Sequence, residues 1–142
     1  MRRLLFVFGV ALLSGCAAFQ TPAPASGYAP LTKAEGTALA EALTAALRPA
    51  FPPAKTSLIV APLEPAASQL AEAFEPYLRR AGYGLGGHND REAVTVRVHL
   101  HDHAGGKLLV QLDAGAVWRW TQLYERQGGG LEPLSGPTVR VE

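Results

Sequence analysis

The stretch from Ala93 to Tyr124 constrains the fold more than any other part of the chain. Val94, Val96, Val98 and Leu100 alternate with Thr95, Arg97, His99 and His101. Successive side chains of a strand point to opposite faces, so this period of two puts an apolar row on one face and a polar row on the other. Ala104-Gly105-Gly106-Lys107 follows as a hairpin-turn signal. Leu108, Val110 and Leu112 then alternate with Leu109, Gln111 and Asp113, and Gly115 invites a bulge or bend. From Val117 to Tyr124 another strand sets Trp118, Trp120 and Tyr124 on one side and Arg119 and Thr121 on the other. Gly128-Gly129-Gly130 reads as a flexible connector, and Thr138 to Val141 as a short final strand.

Helical signals precede this β region. Thr32-Lys33-Ala34-Glu35 fits a capping box, and Leu39, Leu43, Ala46 and Leu47 keep helical spacing up to Pro49. The first helix is therefore expected from about 33 to 48. The apolar run Thr56 to Ala61, bounded by prolines, suits a strand buried on both faces. Pro65 opens a second helix carrying Leu70, Phe74, Tyr77, Leu78 and Ala81, which Gly82 closes. Pro76 lies inside it and cannot donate to the carbonyl of Glu72, so a kink or local break is expected there. Gly82 to Asp90 is Gly-rich, but it follows a helix and precedes a strand. That order is the reverse of a phosphate cradle, and the segment reads as a flexible loop. The fold class is α+β: a small single domain with one or two helices packed on a mostly antiparallel, three- to five-stranded sheet.

The N-terminus carries an address. Met1-Arg2-Arg3 is a short basic region, and Leu4 to Leu13 is an uncharged apolar run. Ten helical residues span about 15 Å, half of what a bilayer core of ~30 Å demands, so the segment reads as a secretory signal. Leu13-Ser14-Gly15-Cys16 follows, and Cys16 is the only cysteine in the chain. This tetrapeptide resembles the bacterial lipobox. The thiol is needed for a thioether to diacylglycerol, and the small residues admit the peptidase. By that resemblance residues 1–15 are a signal peptide and Cys16 becomes the lipidated first residue, bearing acyl chains such as palmitate. Two or three chains, at about 0.8 kcal/mol per buried methylene, anchor durably. Ala17 stands where Asp would favour inner-membrane retention, which implies the outer membrane of a Gram-negative bacterium, facing the periplasm. Ala17 to Pro30 contains Pro22, Pro24 and Pro30 without periodicity. It reads as a tether of roughly 40 Å at full reach, disordered in the absence of partners. Residues 16–30 are thus lipidated Cys and tether, and 31–142 the periplasmic domain.

Chemistry-bearing groups are sparse. Arg2 and Arg3 leave with the signal, so 11 basic and 12 acidic residues remain and the net charge is −1. Such a chain neutralises few phosphates, which argues against direct nucleic-acid binding. One cysteine excludes a disulfide framework or a Cys-rich metal site. His99, His101 and His103 alternate, with Asp102 among them and His88 nearby in sequence. Residues two apart on a strand share a face, so these imidazoles are weak metal-ligand candidates against the plainer reading of a polar strand face. Ser57, Ser68 and Ser135 lack a nucleophile elbow, and Glu72 and Glu75 suit a solvated helix face. No catalytic residue and no cofactor are expected. Trp118 and Trp120 are either core or a partner-facing aromatic patch.

Taken in order, several features resemble the TrbH family, small lipoproteins of conjugative type IV secretion systems. They are the lipobox ending at Cys16, the tether, the Ala-rich helix of Thr37 to Leu47, and Thr56-Ser57-Leu58-Ile59-Val60. The helix from Ala67 through Arg80 to Gly82-Tyr83, the strand pair meeting at Gly105-Gly106-Lys107-Leu108-Leu109-Val110, and Leu112 through Tyr124 continue the likeness. The resemblance implies a non-catalytic component of the mating-pair-formation apparatus. It would sit at the inner leaflet of the outer membrane, with other core-complex proteins as partners. Only Cys16 carries over by position. The competing reading is a periplasmic envelope lipoprotein unrelated to conjugation, acting as an assembly factor or as a ligand- or metal-binding module through the His face. A docking role places partner contact on the Trp118/Trp120 face or on an open strand edge near the C-terminus.

Overall fold

A computed structural model describes residues 28–87 and 89–142. The signal segment, Cys16, the tether up to residue 27 and His88 lie outside the described residues.

Helix α1 spans Lys33–Leu47, and its capping box is complete: Thr32 Oγ1 accepts from the Glu35 amide at 3.2 Å, and Glu35 Oε2 accepts from the Thr32 amide at 2.8 Å. Strand β1 (Ser57–Val60) follows; the expectation of burial on both faces is corrected, because Leu58 alone is fully buried, under the helices, while Ser57, Ile59 and Val60 are half-buried. A 3-10 turn at Pro65–Ala67 leads into α2 (Ser68–Arg80). Leu39, Leu43 and Leu47 of α1 and Leu70, Phe74 and Leu78 of α2 are wholly buried at helical spacing. No break occurs at Pro76, because α2 continues as one helix through it. Glu72 and Pro76 are both exposed, so water can satisfy the carbonyl that loses its donor.

Gly36 lets the helices approach closely. A Cβ built there would lie 2.6 Å from the Gln69 carbonyl carbon and 2.8 Å from the Leu70 nitrogen, both backbone atoms. Backbone cannot swing aside as a side-chain tip can. Gly36→Ala is expected to cost about 1–3 kcal/mol, read as a lower urea midpoint, although alanine is the better helix former.

The sheet is larger and more mixed than the sequence suggests. Its strands are β1, β2 (Gly84–Leu85), β3 (Val94–His103), β4 (Lys107–Ala114), β5 (Trp118–Gln127), β6 (Gly130–Pro133) and β7 (Thr138–Val141). Their order is β2-β1-β3-β4-β5-β6, with β7 also on β5. The expectation of a mostly antiparallel sheet of three to five strands is corrected to seven strands. β1 pairs in parallel with both β2 and β3, and the rest is antiparallel. Parallel neighbours need a crossover, and α2 supplies it. Two elements read as irregular prove ordered. The Gly-rich segment after α2 contributes β2, with Gly86 N donating to Leu58 O at 2.9 Å. The three-glycine connector is a two-residue hairpin turn. Gly128 (φ 58°) and Gly129 (φ 82°) sit between the paired Gln127 and Gly130, the double positive φ that strand twist favours.

β6 and β7 share one margin of β5. Tyr124 faces Pro133 and Thr121 faces Thr138, so four residues bulge opposite Gln122 and Leu123. Buried Gln122 bridges this break, its Nε2 donating to the Ser135 carbonyl, while Leu134 N donates to Leu123 O at 3.0 Å. Both helices cover the face bearing Val96, Leu100, Leu108, Val110, Leu112, Trp118, Trp120 and Tyr124. The opposite face is mostly polar, with Ile59, Leu109 and Leu123 half-buried on it.

Candidate functional site

The polar face carries the imidazoles. His99 and His101 of β3 lie side by side with ring centroids 6.5 Å apart and planes 11° apart, and β3 runs straight through His103 to its pairing with Lys107. Their neighbour is a charge cluster. Asp113 accepts from Arg119 Nε at 2.7 Å and from Gln111 Nε2 at 3.0 Å, with His99 Nε2 at 3.5 Å. Burial acts to raise the Asp113 carboxyl, but the bonds from Arg119 and Gln111 and the Arg119 charge hold it below its ordinary value. Among the described residues no three His, Cys, Asp or Glu side chains converge to hold a metal ion. The His row is thus two stacked rings beside an aspartate already engaged by an arginine.

A cavity of about 280 Å³ opens where β3 outruns β1, between His99, His101 and Asp102 on one side and Tyr28, Leu63 and Glu64 on the other. The Tyr28 hydroxyl is pushed up to about 12 by burial, with the charge and hydrogen bond of Glu64 adding to it. That phenol stays protonated and is no base at neutral pH.

Trp118 and Trp120, each 6% exposed, belong to the core. The Trp118 ring meets Phe51 edge-on with centroids 5.6 Å apart. Of the two readings open in the sequence, the structure selects core for both. Glu72 and Glu75 are exposed, and Glu75 meets Arg79 at 3.7 Å on the helix surface.

Sequence reasoning missed the network that fixes the N-terminal side of the domain. Arg126, near the end of β5, reaches the carboxylate of Glu35 with Nε at 2.8 Å and Nη2 at 2.7 Å. It also donates to the carbonyls of Ala29 and Pro30, each at 3.0 Å. Glu35 is 2% exposed, so its charge is satisfied wholly by Arg126 and the Thr32 amide. Tyr28, the first described residue, is already in the core, three residues before Leu31. Glu35 carried a local signal as a capping residue. Arg126 carried none, because its partner lies 91 residues away.

The outer margin of β7 is the other notable surface. Every residue from Thr138 to Glu142 is exposed. The exposed large apolar side chains among the described residues, Val117, Leu134, Val139 and Val141, all lie on or beside this margin. Among the described residues no helix is long and apolar enough to cross a membrane.

No curated protein and no solved structure matches the chain. The sequence profile described as conjugal transfer protein TrbH matches residues 17–142, which takes in the whole described domain. By that match the chain belongs to the TrbH family of conjugal transfer proteins.

Proposed function

We propose that this protein is a non-catalytic outer-membrane lipoprotein that serves as a structural or assembly component of a conjugative type IV secretion apparatus. The family match over residues 17–142 carries the reading. The Leu13-Ser14-Gly15-Cys16 sequence supports the anchor: signal peptide 1–15, lipid on Cys16, then a tether that ends before Tyr28, where the packed, periplasm-facing domain is already formed. The domain's best-formed polar clusters, Arg126–Glu35 and Arg119–Asp113, consume their charges internally, which supports a scaffold that docks on other secretion proteins.

Cys16→Ser is the direct test of the anchor. It is expected to abolish acylation and to shift the protein out of the outer-membrane fraction, or to leave it as the uncleaved precursor. Mass spectrometry of the wild-type membrane fraction should find Cys16 acylated, and an unmodified thiol there refutes the anchor. Deleting the gene should abolish conjugal transfer, with recovery on complementation by the wild type. Undiminished transfer rejects the secretion role.

A further inference from the structure

We infer that the outer edge of β7 is a strand-addition site. It receives an extended segment of another protein in which an acidic residue is flanked by apolar ones. The inference rests on the docking reading above and names the surface and the chemistry of its partner.

Backbone geometry gives the first argument. The N–H and C=O of one strand residue point to the same side, and neighbours alternate. Glu142 N donates to Val117 O at 2.9 Å, and Arg140 and Thr138 stand opposite Arg119 and Thr121. Even-numbered residues of β7 therefore bond to β5. The amides and carbonyls of Val139 and Val141 face outward, where no strand pairs with them among the described residues. The neighbouring β6 edge is blunted, because its outward residue Pro133 has no N–H. β7 itself contains no proline; Pro137 stands just before it and leaves the outward amides of Val139 and Val141 free to pair.

Side chains supply the second argument. Val139 faces Trp120 and Val141 faces Trp118 across the strand pair, so both valines extend the helix-covered apolar face. Yet they are 52% and 73% exposed. A strand added outside β7 would continue that apolar row and cover them.

Charge selects the occupant. Arg97, Asp113, Arg119 and Arg140 form one row across the polar face. Asp113 is engaged by Arg119, and Arg140 forms no salt bridge among the described residues. The next position in that row favours a carboxylate, since opposite charges directly across a strand pair stabilise and like charges destabilise. The same rule disfavours a second copy. Antiparallel self-pairing that keeps both valines bonded sets Val139 against Val141 and centres Arg140 on Arg140. A slip of two residues brings Arg140 against Glu142 but leaves one bonded pair within β7.

The test uses the full-length lipoprotein in its host cells, with a photo-crosslinking amino acid at position 141. Illumination should give an adduct with a protein other than this chain. The crosslinked peptide, sequenced by mass spectrometry, should carry Asp or Glu between apolar residues. Arg140→Glu should lower the adduct yield about tenfold or more. Val139→Pro, which deletes an outward N–H and spares the bonds to β5, should do the same. Both variants should keep the wild-type melting temperature; if Val139→Pro melts early, Arg140→Glu decides. An adduct of twice the chain's mass, a yield indifferent to Arg140→Glu, or no adduct at 141 overturns the inference. These outcomes are read independently of conjugal transfer, so they are distinct from failure of the secretion role.

Discussion

Replacing Arg126 by Ala is expected to destabilise the domain by about 3–5 kcal/mol, the range for removing one partner of a buried ion pair. The cost comes less from the lost attraction than from what stays behind. Glu35, 2% exposed in the intact protein, would lose its guanidinium partner and keep only the Thr32 amide as a protein donor. Arg126→Lys should recover little, because an ammonium cannot make the paired Nε and Nη2 bonds and still reach two carbonyls. Adding Glu35→Gln to Arg126→Ala should regain part of the loss, and a double-mutant cycle measures that coupling. The pH dependence follows. Burial acts to raise the Glu35 carboxyl, but the Arg126 and Thr32 hydrogen bonds and the Arg126 charge outweigh it and hold the group below its ordinary 4.5. A carboxylate lowered by folding stabilises fully above its unfolded value, and that contribution is lost as pH falls through the folded one. Wild type should therefore weaken in acid below about pH 4.5, and Arg126→Ala should weaken less steeply. Urea titrations at several pH values test both.

Trp120→Ala should cost about 3–5 kcal/mol, as expected for emptying a large aromatic from a core. For a domain of this size each kcal/mol lowers the melting temperature by roughly 3–6 °C. Its cross-strand neighbour Val139 gives the contrast: same face, adjacent strand, 52% exposed. Val139→Ala should stay within about 0.5 kcal/mol of wild type. An unchanged melt for Trp120→Ala would mean that the indole is not part of the core.

What was legible in the sequence was local. The capping box at Thr32 and Glu35, the leucine spacing of α1 and the alternation of β3, β4 and β5 each follow from a period and a few residues. The failures share another cause. β2 is two residues long, Gly84 and Leu85, and exists only because β1 lies beside it, so no internal period could show it. Gly128 and Gly129 look like slack in a sequence, whereas the partner strand makes them a turn. β6 carries no alternation and is held by pairing with β5. Pro76 removes one hydrogen bond within α2, and exposure at Glu72 lets the helix continue without a break. For the surfaces, the sequence offered Trp118 and Trp120 as one docking option and an open edge as the other. Choosing between them required knowing which face the helices cover.

The Arg126 network also sets how the domain would carry a mechanical load. A pull applied upstream of Tyr28 reaches the bonds at Ala29 and Pro30, the Leu31 amide on Ala66 O at 3.0 Å, and the Thr32 amide on Glu35. These anchor the incoming chain to β5, to the turn before α2 and to the first turn of α1. Tension would be divided among three elements and strain several bonds together. It could not unwind α1 one turn at a time from its N-terminal end.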